Sequence, residues 1–252
     1  MDYVAGLIAA RRAGVGSDHI HLGLTDPAAP PATLAEAQDA MAARHLGLLD
    51  LRDGQTVVDL GCGIGGSLRM IDSRLSQARL VGVNIDPRQI DFAAATPLAN
   101  PVTWMCCDAA AFSDGRRGWA DRILSLEAMF HFPDPAGVFA AAARALPRAG
   151  RMVVSTILLP LAPSCSGSVA AVCTGFAPWP HAGMTLTDLR AMGEAAGLRM
   201  TGCEDLAPRC AGGFDWMTPP PPPAVTGNPV TELRRLFECG AAQYPLMVFE
   251  PA

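Results

Sequence analysis

The chain has 252 residues, half of them apolar and 17% charged, with 25 glycines and 22 prolines; this composition supports a sizeable globular core and excludes a disordered or fibrous chain. Its 19 basic residues, all arginine, stand against 24 acidic ones for a formal charge of −5, which argues against general affinity for nucleic acid or for an anionic membrane surface. The absence of lysine also excludes Schiff-base chemistry and a P-loop lysine.

The first 55 residues read as helical, with an alanine-rich apolar segment from Thr33 to Leu49 that follows Pro30-Pro31, a helix-start signal. From Thr56 the pattern changes. Thr56–Leu60 reads as a short buried strand, Gly61–Gly66 as a glycine turn and Ser67–Leu75 as a helix. Further strands are expected at Leu80–Asn84, Val102–Cys106, Ile123–Leu126 and Arg151–Ile157, with helices opened by Asp86-Pro87 and Asp134-Pro135. Beyond them Thr185–Ala196 reads as a helix, Leu198–Leu206 and Tyr244–Glu250 as strands, and Pro219–Pro223 as a stiff, exposed polyproline loop. Strands alternating with helices specify a mostly parallel α/β sheet covered on both faces.

The longest span without Asp, Glu, Lys or Arg runs from Met152 to Thr187. Pro160, Pro163, Gly167, Gly175, Pro178 and Pro180 interrupt it, so no run of about 20 apolar residues is left to cross a bilayer. The span is instead the candidate lining of an apolar pocket. The eight cysteines form no Cys-x-x-Cys pair, and reduced, buried thiols are expected. Met1-Asp2-Tyr3-Val4 is acidic and its apolar stretch ends at Arg11-Arg12, so no secretory signal is read and a cytoplasmic location is expected.

A glycine turn after a first strand binds nucleotides of several kinds, and its neighbours narrow the choice. Gly61, Gly63 and Gly66 have the Gly-x-Gly-x-x-Gly spacing of a dinucleotide fingerprint, but the preceding Asp59 would repel a pyrophosphate and suits an ammonium or sulfonium. The segment Asp59-Leu60-Gly61-Cys62-Gly63-Ile64-Gly65-Gly66-Ser67 resembles motif I of the class I S-adenosylmethionine-dependent methyltransferases. Val81–Ile85, Cys107-Asp108-Ala109, Leu126-Glu127-Ala128, His131–Asp134 and Ala145–Arg151 follow in that family's order. Asn84, where most members carry Asp or Glu, and Gln89 five residues later resemble the branch that holds sterol C-methyltransferases and bacterial small-molecule methyltransferases.

The resemblance implies a Rossmann-like seven-stranded sheet with an antiparallel last strand. It also implies a helical N-terminal cap over residues 1–55 and a core over 56–252, with a substrate-facing insertion at 158–184. It implies S-adenosylmethionine as cofactor, held by Asp59, Gly61, Gly63, Asn84, Ile85, Gln89, Asp108, Ala109 and Leu126. The implied reaction is methyl transfer to an oxygen or carbon of a small, largely hydrophobic acceptor of the natural-product type. Phe130, Phe176, Trp179 and His181 are the expected acceptor contacts, and His131 or Glu127 the expected proton acceptor.

Plainer readings stand beside these. Asp108 reads equally as a helix cap, Glu127 as a partner of an arginine, and His131 as a histidine packed between Phe130 and Phe132. His19-Ile20-His21 lacks the convergent ligands of a metal site, and none is expected. Two other functions remain open: a methyltransferase-like protein that binds the cofactor but performs cyclisation or pericyclic chemistry, and a nicotinamide-dependent oxidoreductase. The expected partner is a small-molecule acceptor, with no nucleic acid and no membrane; homo-oligomerisation is left open.

Overall fold

The computed structural model describes residues 3–26, 28–210, 214 and 227–252. Two helices, α1 (Tyr3–Arg12) and α2 (Leu34–Leu48), precede the sheet. α2 starts where Thr33, in extended backbone, accepts the Glu36 N–H on its side chain. The alternating part follows as β1 (Thr56–Leu60), α3 (Gly66–Asp72), β2 (Arg79–Asn84), α4 (Pro87–Ala94), β3 (Val102–Cys106), β4 (Arg122–Leu126), α5 (Pro135–Ala145) and β5 (Arg151–Ser155). The chain continues through α6 (Ser166–Gly175), α7 (Leu186–Ala195), β6 (Leu198–Asp205), α8 (Ala207–Cys210), α9 (Pro229–Glu238) and β7 (Pro245–Pro251).

The seven strands lie in the order β3-β2-β1-β4-β5-β7-β6, and β7 runs antiparallel to both of its neighbours. The expected sheet, with its antiparallel last strand, is therefore the observed one. β1 and β4 are buried along their whole length, as central strands covered on both faces must be. Alternate residues feed opposite layers. Val57 and Val153 pack with residues of α2, α3, α6 and α9, whereas Val58, Met152 and Val154 pack with residues of α5 and α7.

Three expectations are corrected. β5 ends at Ser155, two residues short of the predicted Ile157, because only Met152–Ser155 pair with β7. Helix α6 lies inside the uncharged span and has no sequence signal, since its Ser, Gly, Ala and Val residues show no apolar periodicity. The thiols are all free, but Cys106, Cys203 and Cys239 are exposed. Cys106 and Cys203 fall on β3 and β6, the two edge strands, where one side of the strand lacks a neighbour. The polyproline run Pro219–Pro223 lies outside the described residues. Among the described residues no helix is long and apolar enough to cross a membrane.

Candidate functional site

The strand order reverses between β1 and β4, and in such sheets a crevice opens beyond the carboxyl ends of the strands at that point. A cleft of about 810 Å³ occupies that position. From β1 it is walled by Asp59, Gly61 and Gly63; from β2 and the turn into α4 by Asn84, Ile85 and Gln89. Asp108 and Ala109 after β3 and Leu126, Glu127, Phe130 and His131 after β4 continue the wall, and Phe176 and Trp179 close its far side. Of the residues singled out in the sequence, His181 alone is absent from this lining; its Nε2–H donates to the Pro133 carbonyl at 2.9 Å, so it ties two loops together.

The glycine turn makes a cradle. Gly61 has φ +77°, and a methyl group there would stand 2.3 Å from Ala128 Cβ, so only glycine lets the β1 and β4 ends approach this closely. Asp59, 3% exposed, has no hydrogen-bond donor or cation among the described residues, and burial pushes its carboxyl up to about 7. Such a group lowers its energy when a cation or a donor arrives in the cleft. Asn84 instead spends its amide on its own turn: its Oδ1 accepts the Asp86 N–H at 3.0 Å and its Nδ2 donates to Gln89 Oε1 at 3.3 Å. Asp108 does cap the turn after β3, accepting the Ala110 N–H at 2.7 Å, and lines the cleft as well.

Glu127 pairs with no arginine. Its Oε2 accepts the Leu22 N–H at 2.9 Å and the Tyr244 hydroxyl at 2.8 Å. Its backbone has φ +53°, a left-handed conformation that costs a non-glycine residue energy and is retained where surrounding contacts over-determine it. Burial raises its carboxyl to about 7, and the two donors act in the opposite direction. His131 donates from Nδ1 to the Pro178 carbonyl at 2.6 Å, and burial lowers its pKa, so the neutral ring keeps a lone pair on Nε2. Phe130 stacks on Trp179 with ring centroids 4.0 Å apart and 21° between planes.

The sequence did not point to Tyr244, or to the way residues 18–22 cross the glycine turn. A methyl on Gly66 would stand 2.3 Å from the Asp18 carbonyl oxygen, and one on Gly63 would stand 3.0 Å from Ile20 Cδ1. Asp18 pins this strap by bonding Arg11 of α1 at 2.6 Å and Arg69 of α3 at 3.2 Å. His19 and His21 thus belong to the strap, and no metal-holding cluster exists among the described residues.

Residues 58–154 match the family model described as a methyltransferase domain. Over those residues the chain is similar to that domain. Tocopherol O-methyltransferase of Arabidopsis thaliana is 32% identical over 158 residues, covering 56% of this chain and 44% of that one. The chain thus spans less than half the length of that curated relative. Among solved structures, geranyl diphosphate C-methyltransferase of Streptomyces coelicolor A3(2), in complex with Mg2+, geranyl diphosphate and S-adenosyl-L-homocysteine, superposes with a TM-score of 0.76 at 20% identity. That match covers 100% of this chain and 99% of the other. The [4+2]-cyclase SpnF superposes with a TM-score of 0.77 at 16% identity, over 98% and 92% of the two chains. The matched segment holds Asp59, the glycine cradle, Glu127 and His131, and the fold is the one shared with these solved structures.

Proposed function

We propose that the chain binds S-adenosylmethionine along the strand ends and transfers its methyl group to an oxygen or carbon of a small, neutral, largely apolar acceptor. The observation that carries this reading is Asp59: a buried carboxylate without a partner, beside a glycine cradle too tight for side chains, at the switch point of a methyltransferase domain. The residues present fit the cofactor. A cationic ligand satisfies Asp59, and Asp86 and Asp108 supply further acceptors in the wall by the turns after β2 and β3.

When bound, S-adenosylmethionine supplies a methyl group already activated on a sulfonium, so the protein's work is to position the acceptor, exclude water and manage one proton. Phe130, Phe176, Trp179, Val230 and Leu233 give one part of the cleft apolar walls that match an acceptor's hydrocarbon surface. Glu127, with both donors on Oε2, and His131, with Nε2 free of bonds among the described residues, are the two groups able to take a proton there. Residues 1–55 act as a cap in this reading, with residues 16–25 as the strap that closes the cleft, and residues 56–252 as the core.

The charge of the lining points to the acceptor's class. Arg88, paired with Asp86, is the sole arginine in the wall, against Asp18, Asp59, Asp86, Asp108 and Glu127. The residues outside the described set contain no arginine or lysine. This supports a neutral acceptor over a diphosphate. Calorimetry with S-adenosylhomocysteine and with NAD tests the cofactor: binding of the first and not the second is expected, and the reverse would move the chain to the oxidoreductases. Incubation with S-adenosylmethionine and a panel of apolar phenols and alcohols tests the reaction; a product heavier by one methyl equivalent supports transfer, and one rearranged at unchanged mass would favour cyclisation.

A further inference from the structure

We infer that His45, buried away from the cleft on α2, is a positioning residue that keeps Glu127 basic by holding the Ser155 hydroxyl proton away from Tyr244. This rests on the reading of Glu127 as a proton acceptor. Four groups from four parts of the chain form one line, with His45, Ser155 and Tyr244 buried and Glu127 half-buried at the cleft. His45 Nδ1 lies 2.8 Å from the Met41 carbonyl and its Nε2 lies 2.7 Å from Ser155 Oγ. Ser155 Oγ also accepts the Glu127 N–H at 3.2 Å and stands 3.4 Å from the Tyr244 hydroxyl, which donates to Glu127 Oε2.

The direction of each proton follows from the Met41 end. A carbonyl only accepts, so Nδ1 carries the ring proton. Burial lowers the His45 pKa to about 4, so the ring is neutral and Nε2 is an acceptor. Ser155 has a single proton and gives it to Nε2, leaving its oxygen to receive the Glu127 N–H and nothing to donate to Tyr244. Tyr244 then acts as an ordinary phenol donor. Without the imidazole, Ser155 can turn its proton to Tyr244 Oη, 3.4 Å away. A phenol whose oxygen accepts a hydrogen bond is a stronger donor, and stronger donation to Glu127 favours its charged form. The line ends at a carbonyl, so it orients protons and does not conduct them.

The titratable and charged groups around the line are Tyr244, Cys210, Asp205, Arg209, Arg44 and, on the strap, His21. Burial raises the Tyr244 and Cys210 values and lowers that of His21, whereas Glu127, raised to about 7, changes charge near neutrality at the end of the line. The chain has two tyrosines, Tyr3 and Tyr244, so ring-carbon labelling of tyrosine gives two NMR signals. One of them reports the Glu127 bond without any acceptor substrate. The Tyr244 signal is expected to titrate near neutrality and to lose that step in Glu127→Gln. In His45→Phe the midpoint falls by about half a unit to one unit, roughly a three- to tenfold loss of proton affinity. His45→Gln, whose amide can both donate to Met41 and accept from Ser155, restores it, and His45→Phe has no effect once Ser155→Ala is present.

An unmoved midpoint in His45→Phe, or a fall that persists in the Ser155→Ala background, overturns the inference. Nitrogen-labelled histidine in the unaltered protein gives a second measurement should His45→Phe fail to fold. A proton on Nδ1 of His45 is expected; a proton on Nε2 reverses the line and overturns the inference. Neither readout depends on methyl transfer, so failure here is distinct from failure of the proposed reaction.

Discussion

Asp59 carries an energetic cost in the folded chain, since its buried carboxyl has no donor or cation among the described residues. Its folded value of about 7 lies above the ordinary carboxylate value of 3.8. The folded chain therefore binds the proton more tightly than the unfolded one; the stability contribution is present in full below the unfolded value and is lost as pH rises through about 7. Asp59→Asn removes that loss. The variant without ligand should be more stable than the parent by about 2–4 kcal/mol at pH 8, with the difference shrinking toward pH 4.5, while affinity for S-adenosylhomocysteine falls. Urea melts at the two pH values check this, and equal destabilisation at both would refute it. Asp59 was legible in the sequence because it adjoins the glycine turn that gives it meaning. The surroundings of Glu127 were not, since its donors lie 105 and 117 residues away along the chain and no local pattern encodes such a pairing.

At the scale of elements, the strands and the helices opened by Asp-Pro were legible, because short apolar runs and fixed-φ caps are local signals. Helix α6 was not, because its packing against α9 replaces the amphipathic stripe that would have announced it. The strap was invisible for another reason: its contacts run through the Asp18 carbonyl oxygen and the small size of Gly66. Gly66 is helical, so Gly66→Ala meets no backbone strain and isolates the steric effect. The added methyl must lift the strap from the glycine turn. Affinity for S-adenosylhomocysteine measured by calorimetry is expected to fall about tenfold, roughly 1.4 kcal/mol, together with a loss of thermal stability because the methyl meets backbone of a strap pinned by Asp18; unaltered affinity would mean that the strap does not close on the ligand. Gly61→Ala is the contrasting case, since φ +77° and the Ala128 contact penalise it in the sheet itself.

Across the whole molecule, the net charge of −5 and the acidic cleft act in the same direction. Both attract a cationic cofactor and repel an anionic acceptor. Inorganic pyrophosphate and a prenyl diphosphate are therefore expected to leave methyl transfer to a neutral acceptor unchanged at concentrations up to about a hundredfold above that acceptor. Competitive inhibition by either would show that an anion-binding element serves the acceptor end.

The line from His45 through Ser155 and Tyr244 to Glu127 bears on how function divides along the chain. The segment shared with the methyltransferase-domain family, residues 58–154, supplies Asp59, the glycine turn and the Glu127 side chain. Leu22, His45, Ser155 and Tyr244, which set the proton affinity of that side chain, all fall outside it. The shared segment can thus stay the same while replacements in the flanking segments retune the base. In this chain the flanking segments can therefore change the proton affinity of Glu127 without touching Asp59 or the glycine turn.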